Sequence, residues 1–293
     1  LDFARHVFTG EGPHQHGHRA GQHALHHLVG LLLGVADPLD GHRLRTAQVA
    51  INDGRFHAAR TVALDPTETR EQVAIDKQAI EFPEGYENVF AEYAARERGL
   101  RVTCLTISPS QFEYAVARME KAGLSDRVTI KLQDYRDERG TYDGIASIEM
   151  FEAVGEKYWP TYFDTLRDRL KPGKNATLQI ITIADHRWEI YRNTVDFIQK
   201  YIFPGGMLPA PKVLRAEVEK AGLRVKGSIE FGKSYSQTLR RWHETFNARW
   251  DEVAKLGFDD RFRRMWNFYL TSCAGAFEGG NCDVTQITVT RPV

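Results

Sequence analysis

Residues 100–111 read LRVTCLTISPSQ, and this stretch decides the fold. Residues 100–107 are mostly apolar and bounded by turn signals, a pattern that predicts a short strand. Ser108 can cap a helix that begins directly afterwards, with Pro109 at the first helical position and Gln111 three residues after the cap. A strand that leads into a helix through so short a connection is typical of α/β proteins with a parallel sheet.

The alternation of strands and helices extends from about residue 90 to the C-terminus. A helix over residues 90–98 ends at Gly99, as expected of a C-terminal cap. Short connections between the elements imply a parallel sheet that helices cover on both faces. The other predicted strands are residues 128–132, 142–148, 176–183, 223–231 and 284–290, the last as an edge strand, and the other predicted helices are 109–122, 158–170, 212–221, 236–255 and 259–277.

The chain has two parts that differ in pattern. Residues 81–293 form the predicted α/β domain, whereas residues 1–80 are an unassigned N-terminal segment that we expect to be helical and lid-like. Residues 184–210 interrupt the alternation and are rich in aromatic side chains. Ligands of open α/β sheets bind beyond the carboxyl ends of the strands. We therefore expect residues 184–210 and 234–280 to form a lid over that edge.

The composition argues against a nucleic-acid partner and against a membrane span. Thirty-nine basic side chains balance 39 acidic ones, whereas a polyanion partner favours a basic face. The longest apolar run, around residues 28–36, is far shorter than the roughly 20 residues that span a bilayer. Three cysteines in 293 residues suit a reducing compartment. With no visible signal peptide, we expect a cytoplasmic protein that touches the inner face of the membrane.

A histidine-rich stretch near the N-terminus has two interpretations. His14, His16 and His18 have a spacing of two, and three more histidines follow by residue 27. Three imidazoles on a loop can bind zinc or nickel. The alternative is a polar lead-in to an amphipathic helix over residues 24–35 that rests on a membrane or covers an apolar tunnel. No carboxylate or cysteine at convincing spacing accompanies the histidines, so we expect no metal site.

Six segments along about 200 residues resemble, in the right order, the motifs of one enzyme family. They are residues 105–111 (LTISPSQ), 132–137 (LQDYRD), 147–155 (SIEMFEAVG), 201–209 (YIFPGGMLP), 235–242 (YSQTLRRW) and 268–277 (FYLTSCAGAF). The chain thereby resembles the cyclopropane-fatty-acid synthase family of S-adenosylmethionine-dependent methyltransferases. The resemblance implies a Rossmann-like class I methyltransferase sheet with a helical lid. It also implies S-adenosylmethionine as cofactor and an unsaturated phospholipid acyl chain as acceptor of a one-carbon unit. The membrane surface and a second copy of the chain are further expected partners.

The resemblance assigns a cofactor-facing set. Thr106, Ser108 and Gln111 match residues that face the ribose and carboxylate of the cofactor. Gln133 and Asp134 match the segment that reaches the adenine, where an acceptor at a strand end can bond an exocyclic amine. The alternative is structural, because the first three side chains could cap the following helix and Asp134 could bond its own backbone in a turn.

Three residues match catalytic positions of the family. Glu152 and Tyr235 match two of the groups that hold a bicarbonate ion, which is thought to act as the base. Cys273 matches a cysteine on the late helix of the family. Proton loss from the new methyl group would close a cyclopropane ring, and loss from a neighbouring carbon would leave a methylene branch. The structural alternatives are a capping carboxylate for Glu152, a core tyrosine for Tyr235 and an inert core thiol for Cys273.

The chain departs from the family pattern at two places. Methyltransferases of this type usually carry a glycine-rich turn just before residue 90, because glycine lets the backbone approach the cofactor. Residues 80–89 here read IEFPEGYENV, so Gly85 alone is left as a cofactor contact. Ile181 stands where cyclopropane synthases have a bicarbonate-binding histidine, which favours a methyl or methylene product. A lipid-binding relative with impaired catalysis and a small-molecule methyltransferase are the alternative functions.

Overall fold

A computed structural model describes residues 89–293 of the chain. Several predictions lie outside the described residues, namely those on the N-terminal segment 1–80, on its histidines, on the helix over 24–35 and on Gly85. The domain boundary at residue 81 therefore stays a prediction. In the described part, each predicted strand and helix has a counterpart, except that two helices replace the predicted helix over 236–255, and the other differences lie in element bounds and in strand order.

The elements follow the predicted alternation. The α-helices α1 to α9 are Val89–Arg98, Pro109–Lys121, Trp159–Arg169, Trp188–Arg192, Phe197–Tyr201, Pro211–Lys220, Gly232–Ala248, Trp250–Lys255 and Asp260–Glu278. The strands β1 to β6 are Val102–Thr106, Val128–Leu132, Tyr142–Ile148, Leu170–Ile183, Arg224–Glu230 and Cys282–Thr290. Short 3-10 helices lie at Tyr135–Asp137, Phe151–Ala153, Glu156–Tyr158 and Asp185–Arg187.

The strands of the described part form two sheets. β1 and β2 pair in parallel, with Val102 opposite Val128 and Thr106 opposite Leu132. The second sheet has the order β3-β4-β6-β5. β3 and β4 are parallel, whereas β6 is antiparallel to both of its neighbours. The prediction of parallel pairing is therefore confirmed for β1 with β2 and for β3 with β4. It is wrong for β5 and β6, whose antiparallel pairing makes the second sheet mixed.

The final strand is not at the edge of its sheet, so that prediction is wrong. β6 lies between β4 and β5, and β5 is the outer strand. The reason is the burial of both faces of β6, where Val284, Gln286, Ile287 and Val289 are all at most 3% exposed. β5 exposes most of its residues, as an edge strand with one solvated face does. The polar residues that alternate with apolar ones along β6, such as Thr285 and Gln286, are buried as well, so the alternation does not indicate a face in contact with solvent.

Helices cover both faces of the four-stranded sheet, as predicted. Successive side chains of a strand point to opposite faces, so Leu178 and Ile180 of β4 lie on one face and Ile181 on the other. Leu178 and Ile180 belong to the main core, which α3 and α6 cover. Ile181 packs against a second core under α7 and α9. The carboxyl end of β4 is therefore enclosed by protein on both sides.

The start of α2 confirms the predicted helix signal. The Ser108 hydroxyl accepts a hydrogen bond from the Gln111 N–H (3.4 Å), and Pro109 occupies the first turn. The predicted helix over 236–255 is instead two helices, since α7 begins earlier, at Gly232, and the chain breaks at Arg249 before α8. No helix of the described part combines the length and the apolar composition that crossing a bilayer requires.

The segment 184–210 contains the short helices α4 and α5 and is bonded to the sheet edge. The Met207 N–H donates to the Glu152 carbonyl oxygen (2.9 Å), and the Ile183 N–H donates to the carbonyl oxygen of Pro209 (3.0 Å). A capping box of Asp196 starts α5. These bonds hold the returning chain directly against the ends of β3 and β4.

Aromatic contacts join the same segment to α9. The ring of Phe197 meets Phe268 edge to face at 4.7 Å between centroids, and Phe203 meets Tyr269 at 6.1 Å. Edge-to-face pairs at such distances are favourable beyond the area that they bury. The segment and α9 therefore form a continuous aromatic cover beside the sheet edge, in the place predicted for a lid.

The first residue of α7 tests the close packing that positions this helix. A Cβ atom at Gly232 would lie 3.0 Å from the Cα of Asp283, so Gly232→Ala has to displace backbone. We expect the free energy of unfolding to fall by about 1–3 kcal/mol, the usual cost of overpacking. Urea denaturation of the full chain measures it. Gly227→Ala is the matched control, since no described atom lies within 4 Å of its added methyl group, and equal stability of the two variants would contradict the packing.

Candidate functional site

Six of the predicted site residues lie at or shortly after the carboxyl ends of β1, β2 and β3, whereas Tyr235 lies on α7 and Cys273 on α9. Contacts between side chains bring the ends of β2 and β3 together. The ring of Tyr135, which follows β2, meets Tyr162 of α3 edge to face at 5.8 Å. The hydroxyl of Tyr162 in turn donates to the Ser147 hydroxyl of β3 (2.8 Å). The strand ends therefore form one edge of the molecule, as the binding edge of an open α/β sheet does.

Thr106, Ser108 and Gln111 lie together at the end of β1. The Thr106 hydroxyl donates to the side-chain carbonyl oxygen of Gln111 (2.8 Å) and accepts from the Ser108 N–H (3.1 Å). Ser108 also caps α2, so the structural interpretation is correct for this residue. The amide nitrogen of Gln111 takes no part in these bonds, and it is the group of this set that can donate to a ligand.

Gln133 and Asp134 are held by the loop after β2. The Gln133 amide donates to Glu138 (3.3 Å), and Glu138 also binds Lys131 (2.8 Å). Both carboxylate oxygens of Asp134 accept from the guanidinium of Arg136, at 2.9 and 2.6 Å. The hydrogen bonds from Arg136 lower the pKa of Asp134. Asp134 thus bonds its own turn, as the structural alternative expects, and its role toward adenine stays a prediction.

Two apolar side chains at the same strand ends were missed in the sequence. Ile107, directly after β1, is 74% exposed, and Leu132, the last residue of β2, is 50% exposed. Apolar side chains at a strand end offer a flat contact for an aromatic ring of a ligand. The signal in the sequence was the position of Ile107 between the polar residues Thr106 and Ser108.

The carboxyl group of Glu152 is buried inside the protein. Its Oε1 accepts a hydrogen bond from the Ile181 N–H of β4 (2.7 Å). Its Oε2 is buried and has no hydrogen-bond partner among the described residues, although Glu152 as a whole residue is only partly buried. The pKa of Glu152 is raised to about 8, chiefly by burial and to a smaller extent by the charge of Glu149, whereas the hydrogen bond from the Ile181 N–H lowers it. The carboxyl group is therefore mostly protonated at neutral pH.

Glu149, directly after β3, is a further side chain at this edge that sequence reasoning missed. Its φ angle of 51° is the only positive one among the non-glycine residues described, in a region that such residues rarely adopt. Its carboxylate accepts from the Gln179 amide (2.7 Å) and, with both oxygens, from the Tyr235 hydroxyl (3.1 Å each). The only signal was its place in the segment SIEMFEAVG, directly after β3.

Tyr235 and Cys273 lie in one apolar cluster under α7 and α9. Tyr235 packs against Phe277 at 5.1 Å between ring centroids, and Cys273 and Ile181 border the same cluster. Burial raises the pKa of the Cys273 thiol to about 12, so the thiol stays protonated at neutral pH. Cys273 is therefore a protonated, half-buried thiol in the cluster that contains Tyr235, and its role in the reaction stays a prediction.

The two carboxyl groups after β3 have different capacities. A protonated Glu152 can donate a hydrogen bond through the oxygen that now has no partner. Glu149 accepts from two neutral donors, the hydrogen-bond pattern of a carboxylate, and can take up a proton. Adjacent carboxyl groups whose surroundings differ in this way are typical of acid and base pairs in enzymes.

Residues 76–287 of the chain match the model of a protein family described as mycolic acid cyclopropane synthetase. The tuberculostearic acid methyltransferase UfaA1 of Mycobacterium tuberculosis is 42% identical over 198 residues, which are 67% of this chain and 46% of that protein. The cyclopropane-fatty-acyl-phospholipid synthase of Escherichia coli strain K12 is 37% identical over 203 residues, 69% of this chain and 50% of that protein. The match therefore spans about half the length of these relatives.

The solved structure of the mycolic acid cyclopropane synthase CmaA1, complexed with SAH and CTAB, has a similar fold. Its TM-score is 0.65 at 22% sequence identity, and the match covers 87% of this chain and all of that one. At this level of identity the likeness concerns the fold alone. The predicted fold class, a Rossmann-like class I methyltransferase sheet with helices on both faces, is confirmed.

The raised pKa of Glu152 predicts a pH dependence of stability. Between pH 4.5 and about 8 the folded chain keeps a proton that the unfolded chain loses, so stability falls as the pH rises. The contribution is about 1.4 kcal/mol per pH unit within that window. Glu152→Gln, which imitates the protonated carboxyl group, should remove it. Urea denaturation from pH 5 to pH 8 measures both slopes, with the exposed Glu189→Gln as control. Equal slopes in wild type and Glu152→Gln would contradict the buried carboxyl group.

Proposed function

Because the chain belongs to the mycolic acid cyclopropane synthetase family, we propose that it is an S-adenosylmethionine-dependent methyltransferase acting on lipid. It transfers a one-carbon unit to the double bond of an unsaturated phospholipid acyl chain. The observation that carries this proposal is the pair of carboxyl groups after β3, beside a sheet edge with polar strand ends and an aromatic cover. The activity is a proposal for the whole protein, since the chain matches about half of the length of its relatives.

The residues at the ends of β1 and β2 fit the cofactor by the chemistry of their side chains. When bound, S-adenosylmethionine supplies an electrophilic methyl group on a sulfonium sulfur. The Thr106 hydroxyl and the Gln111 amide offer partners for ribose hydroxyls and a carboxylate. Exposed Ile107 offers an apolar contact to a purine ring, and Gln133 offers a polar group beside it. SAH, bound in the CmaA1 structure, is the product of methyl transfer from the same molecule and supports this assignment.

The side chains around the two carboxyl groups suit an apolar acceptor and a transient positive charge on it. Ile181 and Cys273 border the cluster below the site, and the rings of Tyr235 and Tyr269 lie in it. Attack of a double bond on an electrophilic methyl group leaves a cation on the acyl chain. Aromatic faces stabilise such a cation, and an apolar wall excludes the water that would trap it. The detergent CTAB in the CmaA1 structure supports an apolar acceptor.

The product follows from the residues that can hold or remove a proton. An isoleucine side chain at position 181 has no hydrogen-bonding group for an anion, so we favour a methyl or methylene product over ring closure. The name of UfaA1, a tuberculostearic acid methyltransferase, supports this choice. The bicarbonate ion expected from the resemblance stays a prediction.

Peripheral contact with the inner face of the membrane is part of the proposal. Ile190 and Val195, both in the segment 184–210, are 72% and 74% exposed. Arg192 lies between them in sequence, and Lys200 follows on α5. Exposed apolar side chains next to cations suit the interface of an anionic membrane. Such a contact would let an acyl chain enter beside the aromatic cover.

The proposed activity is tested by transfer of label. The full chain is incubated with methyl-labelled S-adenosylmethionine and vesicles of a monounsaturated phospholipid, and the label in the extracted lipid is counted. We expect label in the lipid, with saturated phospholipid as the matched control that stays unlabelled. Unlabelled lipid with intact protein and several unsaturated phospholipids would contradict the activity. It would leave the lipid-binding relative as the function if lipid still copurifies.

The cofactor assignment is tested by calorimetric titration with S-adenosylhomocysteine. Wild type should bind with saturation. Gln111→Ala should weaken binding about tenfold, the effect of one lost hydrogen bond of roughly 1.4 kcal/mol. Gln237→Ala is the control, because this glutamine is exposed on α7. Equal affinities of the two variants would remove Gln111 from the cofactor site, and no binding by wild type would reject the site as a whole.

A further inference from the structure

We propose that Glu149 is the catalytic base of this site and that the chain needs no bound bicarbonate ion. This inference rests on the proposed function. Tyr235, one of the two residues expected to hold the ion, donates its hydroxyl to both carboxylate oxygens of Glu149 at 3.1 Å. The Tyr235 hydroxyl, which was expected to bind bicarbonate, is therefore bonded to a carboxylate of the chain itself.

The backbone at Glu149 is strained in a way that directs its side chain. A φ of 51° costs a non-glycine residue of order 1–3 kcal/mol and persists only where the surroundings enforce it. The Glu149 N–H donates to the carbonyl oxygen of Gln179 (2.9 Å), which fixes the backbone to β4. Strain of this kind concentrates at functional sites, and here it turns a carboxylate away from β3 toward α7.

Two buried glutamines orient the carboxylate. Gln179 and Gln286 stand opposite each other on β4 and β6, and they are only 2% and 3% exposed. The Gln286 amide nitrogen donates to the side-chain carbonyl oxygen of Gln179 (2.8 Å), so the amide nitrogen of Gln179 has to face Glu149 (2.7 Å). Burying two amides inside a sheet is costly unless they are bonded. The oxygen and the nitrogen of the Gln179 amide are both bonded, whereas the side-chain oxygen of Gln286 is buried without a partner among the described residues. Gln286 therefore orients the Gln179 amide so that its nitrogen faces Glu149.

Glu149 is better suited than Glu152 to accept a proton. Glu152 lies in an apolar surrounding, bonded only through Oε1, and it already keeps its proton at neutral pH. Glu149 receives two hydrogen bonds that stabilise a negative charge. The other titratable groups near Glu149 are the hydroxyls of Tyr235 and Tyr269. No cation is seen next to Glu149 in the contacts of the described residues, so its charge is available for the acyl cation.

The proposed step balances in atoms and charge. After the new carbon–carbon bond has formed, the acyl chain carries one positive charge next to the methylated carbon. For a methylene branch, a hydride moves from the methylated carbon to the neighbouring cationic carbon, so that the positive charge lies on the methylated carbon. An oxygen of Glu149 then takes a proton from the new methyl group, and the electron pair of the broken C–H bond forms the double bond. Without the hydride shift, the electron pair of the same C–H bond forms the last bond of a cyclopropane ring. The chain becomes neutral, the carboxylate becomes a carboxyl group, and the proton passes to solvent before the next turnover.

The first test compares Glu149→Gln with wild type in the lipid-labelling assay, in buffers free of carbon dioxide and in buffers with added bicarbonate. We expect wild type to be equally active in both buffers. Glu149→Gln should lose about 100-fold or more in kcat, the usual contribution of a general base. KM and the affinity for S-adenosylhomocysteine should change by less than about threefold, because the step follows binding. Glu219→Gln, the same chemical change on the exposed face of α6, should match wild type.

Chemical rescue provides the second test. Glycine accepts a φ of 51° without strain, so Glu149→Gly keeps the backbone and leaves space beside the Tyr235 hydroxyl. We expect this variant to be inactive alone and to regain at least about tenfold in rate with added bicarbonate or formate, which restore a base in that space. Glu149→Gln should not respond, because its amide fills the space.

The outcomes separate this inference from the proposed function. No labelled lipid from wild type would overturn the proposed function and the inference with it. Active wild type that depends on bicarbonate would overturn the inference alone. Glu149→Gln within about threefold of the wild-type rate would do the same, since a base contributes far more.

Discussion

The hydrogen bond from the Ile181 N–H to Oε1 of Glu152 holds a carboxyl group inside the protein at the end of β3. A carboxyl group in that position is too costly to ionise at neutral pH without further partners. Glu149, three residues earlier, is bonded by Gln179 and Tyr235 and can carry the negative charge. The charge of Glu149 also raises the pKa of Glu152, because a neutral Glu152 avoids the repulsion between two carboxylates. The proposed chemistry of the site depends on this difference between the two carboxyl groups.

The cover of the site depends on the same place. The backbone of Glu152 accepts the N–H of Met207, so the segment 184–210 returns to the sheet next to the buried carboxyl group. From there its rings reach α9 through Phe203 and Tyr269. α7, which carries Tyr235, begins at Gly232, and a side chain at this position would collide with Asp283. A backbone hydrogen bond therefore fixes the cover to the strand end, and aromatic contacts and the close packing at Gly232 position α9 and α7 beside it.

Much of the fold could be predicted from the sequence because its signals are local. The cap at Ser108 and the apolar strands depend on neighbouring residues, and they occur where expected. The order of the last strands could not be predicted, because the place of β6 depends on burial of both of its faces by distant helices. The periodic pattern of one strand does not contain that information.

The site was predictable in part. Glu152 and Tyr235 stand out through their motifs, and their neighbourhood agrees with a shared site. Glu149 was missed although it lies in a quoted motif, because its role depends on a backbone angle and on Gln179, which is 30 positions away. Gln286, a further 107 positions along the chain, completes the arrangement. Contacts of this range become visible only when the sheet is assembled.

The most direct measurement is a crystal structure of the full chain with S-adenosylhomocysteine and a monounsaturated phospholipid. We expect the nucleoside beside Thr106 and Gln111, the acyl double bond next to Glu149, and the Tyr235 hydroxyl still bonded to the Glu149 carboxylate. A sheet edge filled by side chains, with room for neither molecule, would contradict it. So would a bicarbonate ion bound between Tyr235 and Glu152 with Glu149 turned away.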